Sequence, residues 1–227
     1  MALATALVVA LDGAALAQTP PPPSAPLVKV EDLQRLSAHV QVIPDKSARL
    51  VSNIGFIAGS RAVLVVDTGL GPRNGAAVHA LAKKLAGGKA IYLVATHARP
   101  EHDLGGQSFP AGTTMFRSAD QAANKDNDLA VAKTFSAGSP AAAELLAGAV
   151  FREADVAFAN SRRIDLGGLW VTLTALGPAH TAGDTIVWVE DDRVLFSGDL
   201  AMKAQPAITT PKAACITGAT SWASRRR

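Results

Sequence analysis

Short apolar runs separated by polar turns occupy most of the chain between residues 39 and 200. The run Ala62–Val66 is continuous and rich in β-branched residues, which is typical of a strand buried on both faces. A polar turn, Glu190-Asp191-Asp192, between two further runs predicts a hairpin. Apolar or alternating runs predict the other strands at 39–43, 53–58, 90–95, 113–116, 151–157, 169–176, 185–189 and 193–196.

Helix signals lie between some of these runs. Residues 72–85 carry an apolar face, with Pro72 in the first turn and glycines just after the end. Residues 118–121 have the form of a capping box and predict a helix that runs towards Lys133, and Ser139 with Pro140 predicts another through Leu146. The order strand, helix, strand in 62–95 predicts two parallel strands joined by a right-handed crossover.

Composition describes one large globular domain rather than a disordered or nucleic-acid-binding chain. The 227 residues are 48% hydrophobic and 18% charged, which is enough apolar material for a real core. The formal charge is +3, and the last three residues are all arginine, so the body is close to neutral and the charge gives no reason to expect nucleic acid. Cys215 is the only cysteine, which excludes an internal disulfide.

The two ends differ from the middle of the chain. Residues 1–17 predict a secretory signal with the cleavage pattern Ala15-Leu16-Ala17, and hence a periplasmic or secreted protein; a buried N-terminal helix is the alternative. Residues 18–26 form a proline-rich spacer that we expect to be extended and disordered, followed by a domain over 27–212. The tail 213–227 is atypical, and we hypothesise a frameshift or truncation near its start, which resequencing of the gene would test.

Candidate metal ligands are concentrated in the segment 96–106, directly after the apolar run 90–95. His97, Glu101 and His102 fall within six residues, and imidazole and carboxylate groups are ligands that Zn²⁺ accepts. Arg99 lies where a further ligand would be most useful, although a guanidinium stays protonated and has no lone pair to offer.

Four runs end in polar groups that could form a site: Asp67, His97, His180 and Asp199. Ligand sites in α/β proteins form outside the carboxyl ends of strands, so we expect these four side chains to converge in one crevice.

With these landmarks, the chain resembles the metallo-β-lactamase-fold hydrolase superfamily from about His39 to Leu200. The resemblance rests on Val66-Asp67-Thr68-Gly69, the segment 96–106, residues 177–184 and Leu195-Phe196-Ser197-Gly198-Asp199. It implies an α+β fold, a four-layer αββα sandwich, here without its last helix and strand elements. It also implies zinc bound by His97, Glu101, His102, His180 and Asp199, with Asp67 orienting the site.

Two departures from the family pattern reduce the expected metal count. Arg99 replaces the second histidine of the motif His-x-His-x-Asp-His, and no histidine follows His180. The resemblance therefore implies one zinc ion rather than two, held by Glu101, His102 and Asp199. Arg99 could pair with Glu101, fill the vacant position, contact an anionic substrate group, or repel the metal.

The expected function is zinc-dependent hydrolysis of an activated acyl bond in a small molecule, of the β-lactam, lactone or thioester class. A metal-activated water would attack, and Asp67 and Glu101 are the candidate catalytic residues. A metal-depleted, inactive binding protein or a truncated product is the first alternative. A nucleic-acid-processing relative is the second, and the near-neutral body and export signal argue against it. The mature chain contains no predicted membrane span.

Overall fold

Strands and helices alternate through residues 23–202, the part of the chain that the computed structural model describes. The strands are β1 (Gln34–Arg35), β2 (Val40–Ile43), β3 (Ile54–Ala58), β4 (Ala62–Val66), β5 (Ala90–Val94), β6 (Thr114–Ser118), β7 (Val156–Phe158), β8 (Ser161–Asp165), β9 (Trp170–Gly177), β10 (Asp184–Val189) and β11 (Val194–Phe196). The helices are α1 (Gly71–Ala86), α2 (Pro100–Asp103), α3 (Ala119–Ala123), α4 (Lys125–Gly138) and α5 (Pro140–Leu145). Short 3₁₀ turns lie at Val30–Asp32, Gly106–Ser108 and Gly198–Leu200.

The strands form two sheets. The first follows chain order from β1 to β7, antiparallel up to β4 and parallel from β4 to β7. The second has the order β11-β10-β9-β8 and is antiparallel throughout. The parallel pair of β4 and β5, joined through α1, and the hairpin of β10 and β11 confirm two of the predicted connections.

The main core lies between the two sheets. Leu64 and Val66 of the first sheet share this core with Val171, Leu173 and Val187 of the second, and all five are fully buried. Because alternate residues of a strand point to opposite faces, β4 also supplies Val63 and Val65 to a second core. There α1 covers the sheet with Val78, Ala82 and Ala86. The helix, sheet and sheet layers confirm the mixed α/β sandwich.

Several predicted elements have different bounds in the structure. The helix expected over 118–133 is divided at Asn124, where α3 ends and α4 begins. The run 151–157 contributes only the three-residue strand β7. Strand β8 was not predicted, because among its residues only Ile164 is buried and the pattern Ser-Arg-Arg-Ile-Asp has no apolar alternation.

The end of the proline-rich spacer is bound to the domain, contrary to the disorder expected for all of it. The Ser24 backbone N–H donates to Glu144 Oε1 at 2.8 Å, and Arg73 Nη1 donates to the Ser24 carbonyl at 2.8 Å. The predicted signal segment, spacer residues 18–22, Cys215 and the tail 213–227 lie outside the described residues. None of the described helices has the length and apolar character needed to cross a bilayer.

Gly105 lies at a backbone crossing beneath the segment that carries His97 and His102. A Cβ added to Gly105 would lie 2.1 Å from the Thr68 carbonyl oxygen, so no side chain fits there. At the neighbouring Gly106 the nearest atom to an added Cβ is 3.7 Å away, which is ordinary contact. Close backbone packing is therefore found at the first glycine of the pair and not at the second.

We expect Gly105→Ala to lower the free energy of unfolding by about 1–3 kcal/mol, because overpacking against backbone forces the chain apart. Gly106→Ala is the matched control, with a change near zero, since the added methyl group meets no backbone at short range. Urea denaturation of both variants measures the difference. Equal losses in the two variants would contradict the packing argument.

Candidate metal centre

The candidate residues come from the ends of both sheets and meet at one edge of the sandwich. Strands β4 and β5 run in parallel, so Asp67, after β4, and His97, after β5, leave the first sheet on the same side. His180 lies in the turn between β9 and β10, and Asp199 follows β11. The two edges are joined where the Thr185 backbone N–H donates to the Thr96 carbonyl at 2.7 Å.

Three imidazole rings surround the carboxylate of Asp199. His102 Nε2 lies 3.4 Å from Asp199 Oδ1, while His180 Nε2 and His97 Nε2 lie 3.6 Å and 3.9 Å from Asp199 Oδ2. One donor atom each from His97, His180 and Asp199 falls within 4.8 Å of the others. The convergence expected from the strand ends is therefore present for these residues.

The geometry fits a small divalent cation. Donor atoms placed tetrahedrally about a zinc ion lie roughly 3.3 Å apart, since each is about 2.0–2.2 Å from the metal. The histidine nitrogens lie somewhat farther than this from Asp199 Oδ2, at 3.6 Å for His180 and 3.9 Å for His97, and Nε2 of His97 is buried without a hydrogen-bond partner in the described part of the chain. Buried polar atoms are normally satisfied, so this unpartnered nitrogen near a carboxylate is available to coordinate a metal ion.

Asp67 and Thr96 hold two of the rings in place. His102 Nδ1 lies 2.7 Å from Asp67 Oδ2, and the Thr96 hydroxyl lies within hydrogen-bonding distance of Asp67 Oδ2 and of His97 Nδ1, at 3.0 Å and 3.1 Å. The Thr96 backbone N–H donates to Asp67 Oδ1 at 2.7 Å. With Nδ1 bound to the Asp67 carboxylate, Nε2 of His102 faces Asp199, and such a carboxylate contact to the other ring nitrogen is common among metal-binding histidines.

The pKa values of His97 and His102 are shifted in opposite directions. Burial, followed by the charge of His102, lowers the pKa of His97 well below its usual range, so this ring stays neutral. Burial also opposes protonation of His102, but the Asp67 and Asp199 carboxylates raise its pKa well above its usual range. Against the effect of burial, His102 and the other imidazoles hold the pKa of Asp199 well below normal, so this carboxylate stays ionised.

Glu101 and Arg99 are placed differently from the other candidates. Glu101 lies outside the group formed by His97, His180 and Asp199, and its Oε2 atom is buried with no hydrogen-bond partner in residues 23–202. Arg99 takes part in no ion pair within the same residues, so pairing with Glu101, one of the four alternatives for Arg99, is not found. The role of Glu101 as ligand or catalytic group stays a prediction.

Sequence reasoning missed two residues that support the site. The Gln121 side-chain amide donates to the carbonyls of Ala95 and Thr96, at 2.8 Å and 3.0 Å, and so fixes the backbone before His97. Its place in a capping-box pattern pointed instead to local helix capping, of which only the Ser118 half is formed. Thr96 also gave no signal, since its contacts depend on residues distant in sequence.

The sequence of the chain also matches a protein-family model. The sequence model described as the metallo-beta-lactamase superfamily matches residues 48–223 of the chain. The chain belongs to the metallo-beta-lactamase superfamily. Members are metallohydrolase-type proteins that typically bind metal, and the histidine and aspartate group described above is a possible metal site of that kind. A comparison with curated proteins gives no match.

Solved structures of the metallo-beta-lactamase superfamily have the same fold. A metallo-beta-lactamase from Pontibacter korlensis is 19% identical, with a TM-score of 0.59 over 77% of this chain and 74% of that chain. A double mutant of the sec-alkyl sulfatase PisA1 is 15% identical, with a TM-score of 0.56 over 73% of this chain and 30% of that chain. The inverting sec-alkylsulfatase Pisa1 from Pseudomonas sp. is 14% identical, with a TM-score of 0.53 over 70% and 29%. This chain thus spans less than a third of both sulfatases.

Proposed function

We propose that the chain is a zinc-dependent hydrolase of activated acyl bonds in small molecules, of the β-lactam, lactone or thioester class. The observation that carries the proposal is the convergence of three imidazole nitrogens on the Asp199 carboxylate. A neutral imidazole and an ionised carboxylate are the protonation states that metal binding requires, and His97 and Asp199 are held in them.

In this proposal His97, His180 and Asp199 hold the ion, and His102, whose Nε2 lies 3.4 Å from Asp199 Oδ1, would join them only after its ring gives up a proton. A bound zinc ion lowers the pKa of a water ligand towards neutrality and polarises a carbonyl group. Asp67 keeps His102 oriented through its Nδ1 atom. The side chain of Asp199 is 25% exposed, whereas those of the three histidines are nearly buried, so substrate and water approach from the Asp199 side.

The proposal places one zinc ion at a different group from the one that the sequence suggested. The sequence favoured Glu101, His102 and Asp199, but Glu101 lies outside the group around Asp199, whereas His97 and His180 belong to it. Glu101 follows Pro100 in the first turn of α2, and its backbone carbonyl accepts from the Ser52 hydroxyl at 2.8 Å. Its carboxylate is therefore not counted among the proposed ligands.

Metal analysis of the purified full-length chain tests the proposal. We expect about one zinc ion per chain, and a loss of zinc affinity of at least about 100-fold in His180→Ala, because removal of a ligand costs more than the 10–100-fold of an outer contact. His39→Ala is the matched control, since His39 also faces a carboxylate, that of Asp192, but lies on the surface away from the site.

Hydrolysis assays complete the test. We expect the zinc-loaded chain to cleave at least one member of a panel of a β-lactam, a lactone and a thioester, and His180→Ala to lose that activity. A chain that binds no zinc above the level of His180→Ala contradicts the proposal and favours the metal-depleted binding protein. Zinc binding without turnover of any of the three classes contradicts the proposed substrate class.

A further inference from the structure

Arg99 carries a cationic group beside the candidate metal centre for which the described residues provide no partner. Its position is fixed by the backbone, because its N–H donates to the His97 carbonyl at 3.1 Å and its carbonyl accepts from the His102 N–H at 2.9 Å. The side chain is half-buried, and its Nε atom is shielded from solvent without a hydrogen bond in residues 23–202. The backbone of Arg99 is thus held between two of the candidate ligands, and its Nε donor has no acceptor in residues 23–202.

The other arginines near the core of the domain are used differently. Arg117 and Arg152 are both extensively bonded: Arg117 pairs with Asp103, and Arg152 donates to backbone carbonyls that include Phe109 at 2.6 Å. An unpartnered donor on a shielded guanidinium is costly, since a buried polar group that gives up water needs a replacement acceptor. Arg99 is therefore better explained by an acceptor that arrives with a ligand than by a structural role.

The local charges favour a negative group as that acceptor. Arg99 is close enough to His97 for its charge to help lower the pKa of that ring, after burial and the neighbouring imidazoles. Asp67 and Asp199 are engaged with the histidines, and Arg99 forms no ion pair with a carboxylate among residues 23–202.

We propose that Arg99 is a specificity-determining residue that binds an oxyanion group of the substrate, a carboxylate or a sulfate, next to the bond that is cleaved. A guanidinium presents paired N–H donors that match the two oxygens of such a group, which a lysine ammonium does not. The part of the inference that concerns a substrate rests on the proposed hydrolase function. The anion site itself rests only on the residues of this chain. An anion site at Arg99 would restrict the acyl substrates to those that carry a negative charge close to the scissile bond.

The test measures binding of sulfate and of acetate to the full-length chain by isothermal titration calorimetry at constant ionic strength, with and without zinc. We expect both forms of the wild-type chain to bind at least one of the two anions. Arg99→Gln should bind it at least tenfold more weakly, and Arg99→Lys should lie between the two. Preference for acetate indicates a planar carboxylate, and preference for sulfate a tetrahedral group. Arg162→Gln is the control, because it removes the same charge from an exposed position on β8.

Equal affinity of the wild-type chain and Arg99→Gln for both anions overturns the proposal, and so does an equal loss in Arg162→Gln, which would reflect net charge alone. Should Arg99→Gln fail to fold, Arg99→Lys decides, since loss of the paired donors alone should weaken binding measurably. The metal-free titration keeps the two proposals separate. If the chain takes up no zinc when zinc is supplied but still binds the anion through Arg99, the hydrolase function is contradicted and the anion site stands.

Discussion

Arg117→Met is expected to lower the free energy of unfolding by about 3–5 kcal/mol, because it leaves a buried carboxylate without its counter-charge. Arg117 Nη1 and Nη2 donate to the two oxygens of Asp103 at 2.7 Å and 2.6 Å, and the two side chains are 0% and 1% exposed. The guanidinium also donates to the Arg152 carbonyl and lies 4.0 Å from the centre of the Phe151 ring. Chemical denaturation monitored by circular dichroism measures the loss.

Arg163→Met is the matched control for this change. Arg163 likewise makes two hydrogen bonds to one carboxylate, that of Glu190, and lies 3.9 Å from the centre of the Trp170 ring, but its side chain is 53% exposed. An exposed ion pair contributes little because water solvates both charges once the pair is broken. We therefore expect a much smaller loss in Arg163→Met, and similar losses in the two variants would contradict the argument from burial.

The same pair has a consequence for the site. Asp103 is the last residue of α2, the short helix that carries His102, and Arg117 belongs to β6 of the first sheet. The ion pair therefore fixes α2 against the sheet. In the double variant Arg117→Met with Asp103→Asn no buried charge is left unpaired, so we expect much of the lost stability to return.

Asp128→Asn is expected to stabilise the chain at pH 8 and to remove a large part of its pH dependence. Asp128 of α4 is fully buried, and neither carboxylate oxygen has a hydrogen-bond partner among residues 23–202. Burial, followed by the charge of Asp103, raises its pKa from 3.8 to about 9. In the folded chain the group is therefore protonated at neutral pH, whereas in the unfolded chain it is ionised.

The sign of this pH dependence follows from the number of protons bound by the folded and the unfolded chain. Between about pH 4 and pH 9 the unfolded chain binds fewer protons at Asp128 than the folded chain, so the contribution of Asp128 to stability decreases as the pH rises. The slope is up to about 1.4 kcal/mol per pH unit for one proton. Asparagine has no proton to lose, and it replaces the carboxyl group with an amide of similar shape.

Denaturation curves at pH 5, 6, 7 and 8 for the wild-type chain and Asp128→Asn give the measurement. The difference between the two proteins cancels the contributions of other titrating groups and should grow steadily with pH. Asp126→Asn, an exposed position on the same helix, should leave the slope unchanged. Parallel curves for the wild-type chain and Asp128→Asn would show that Asp128 has the same proton affinity in both states.

The predictable part of the fold is the part with strong local patterns. Strand β4, predicted over 62–66, has the predicted bounds, because five consecutive apolar residues in the first sheet are buried on both of its faces. Helix α1 begins and ends within one residue of the prediction, since Pro72 lies in its first turn and Gly87 adopts the left-handed conformation at its end. Local residue preference and burial agree in both elements.

Elements on the outside of the sandwich were harder to predict. Strand β8 is held by its pairing with β9, and three of its five residues are exposed, so its sequence has no period to detect. The division between α3 and α4 at Asn124 is equally invisible, since the pattern around Asn124 continues to favour a helix. In both cases contacts with distant residues determine the local structure.

The sequence by itself determined which chemical groups this protein presents and which strand ends carry them, because apolar runs and the polar residues after them are local features. It indicated that Asp67, His97, His180 and Asp199 would come together. Only the tertiary structure decided that Glu101 lies outside the group around Asp199, that Thr96 and Gln121 fix the loop before His97, and that Nε of Arg99 has no partner among residues 23–202. These outcomes depend on side-chain directions and on contacts between residues far apart in the chain, which no local pattern records.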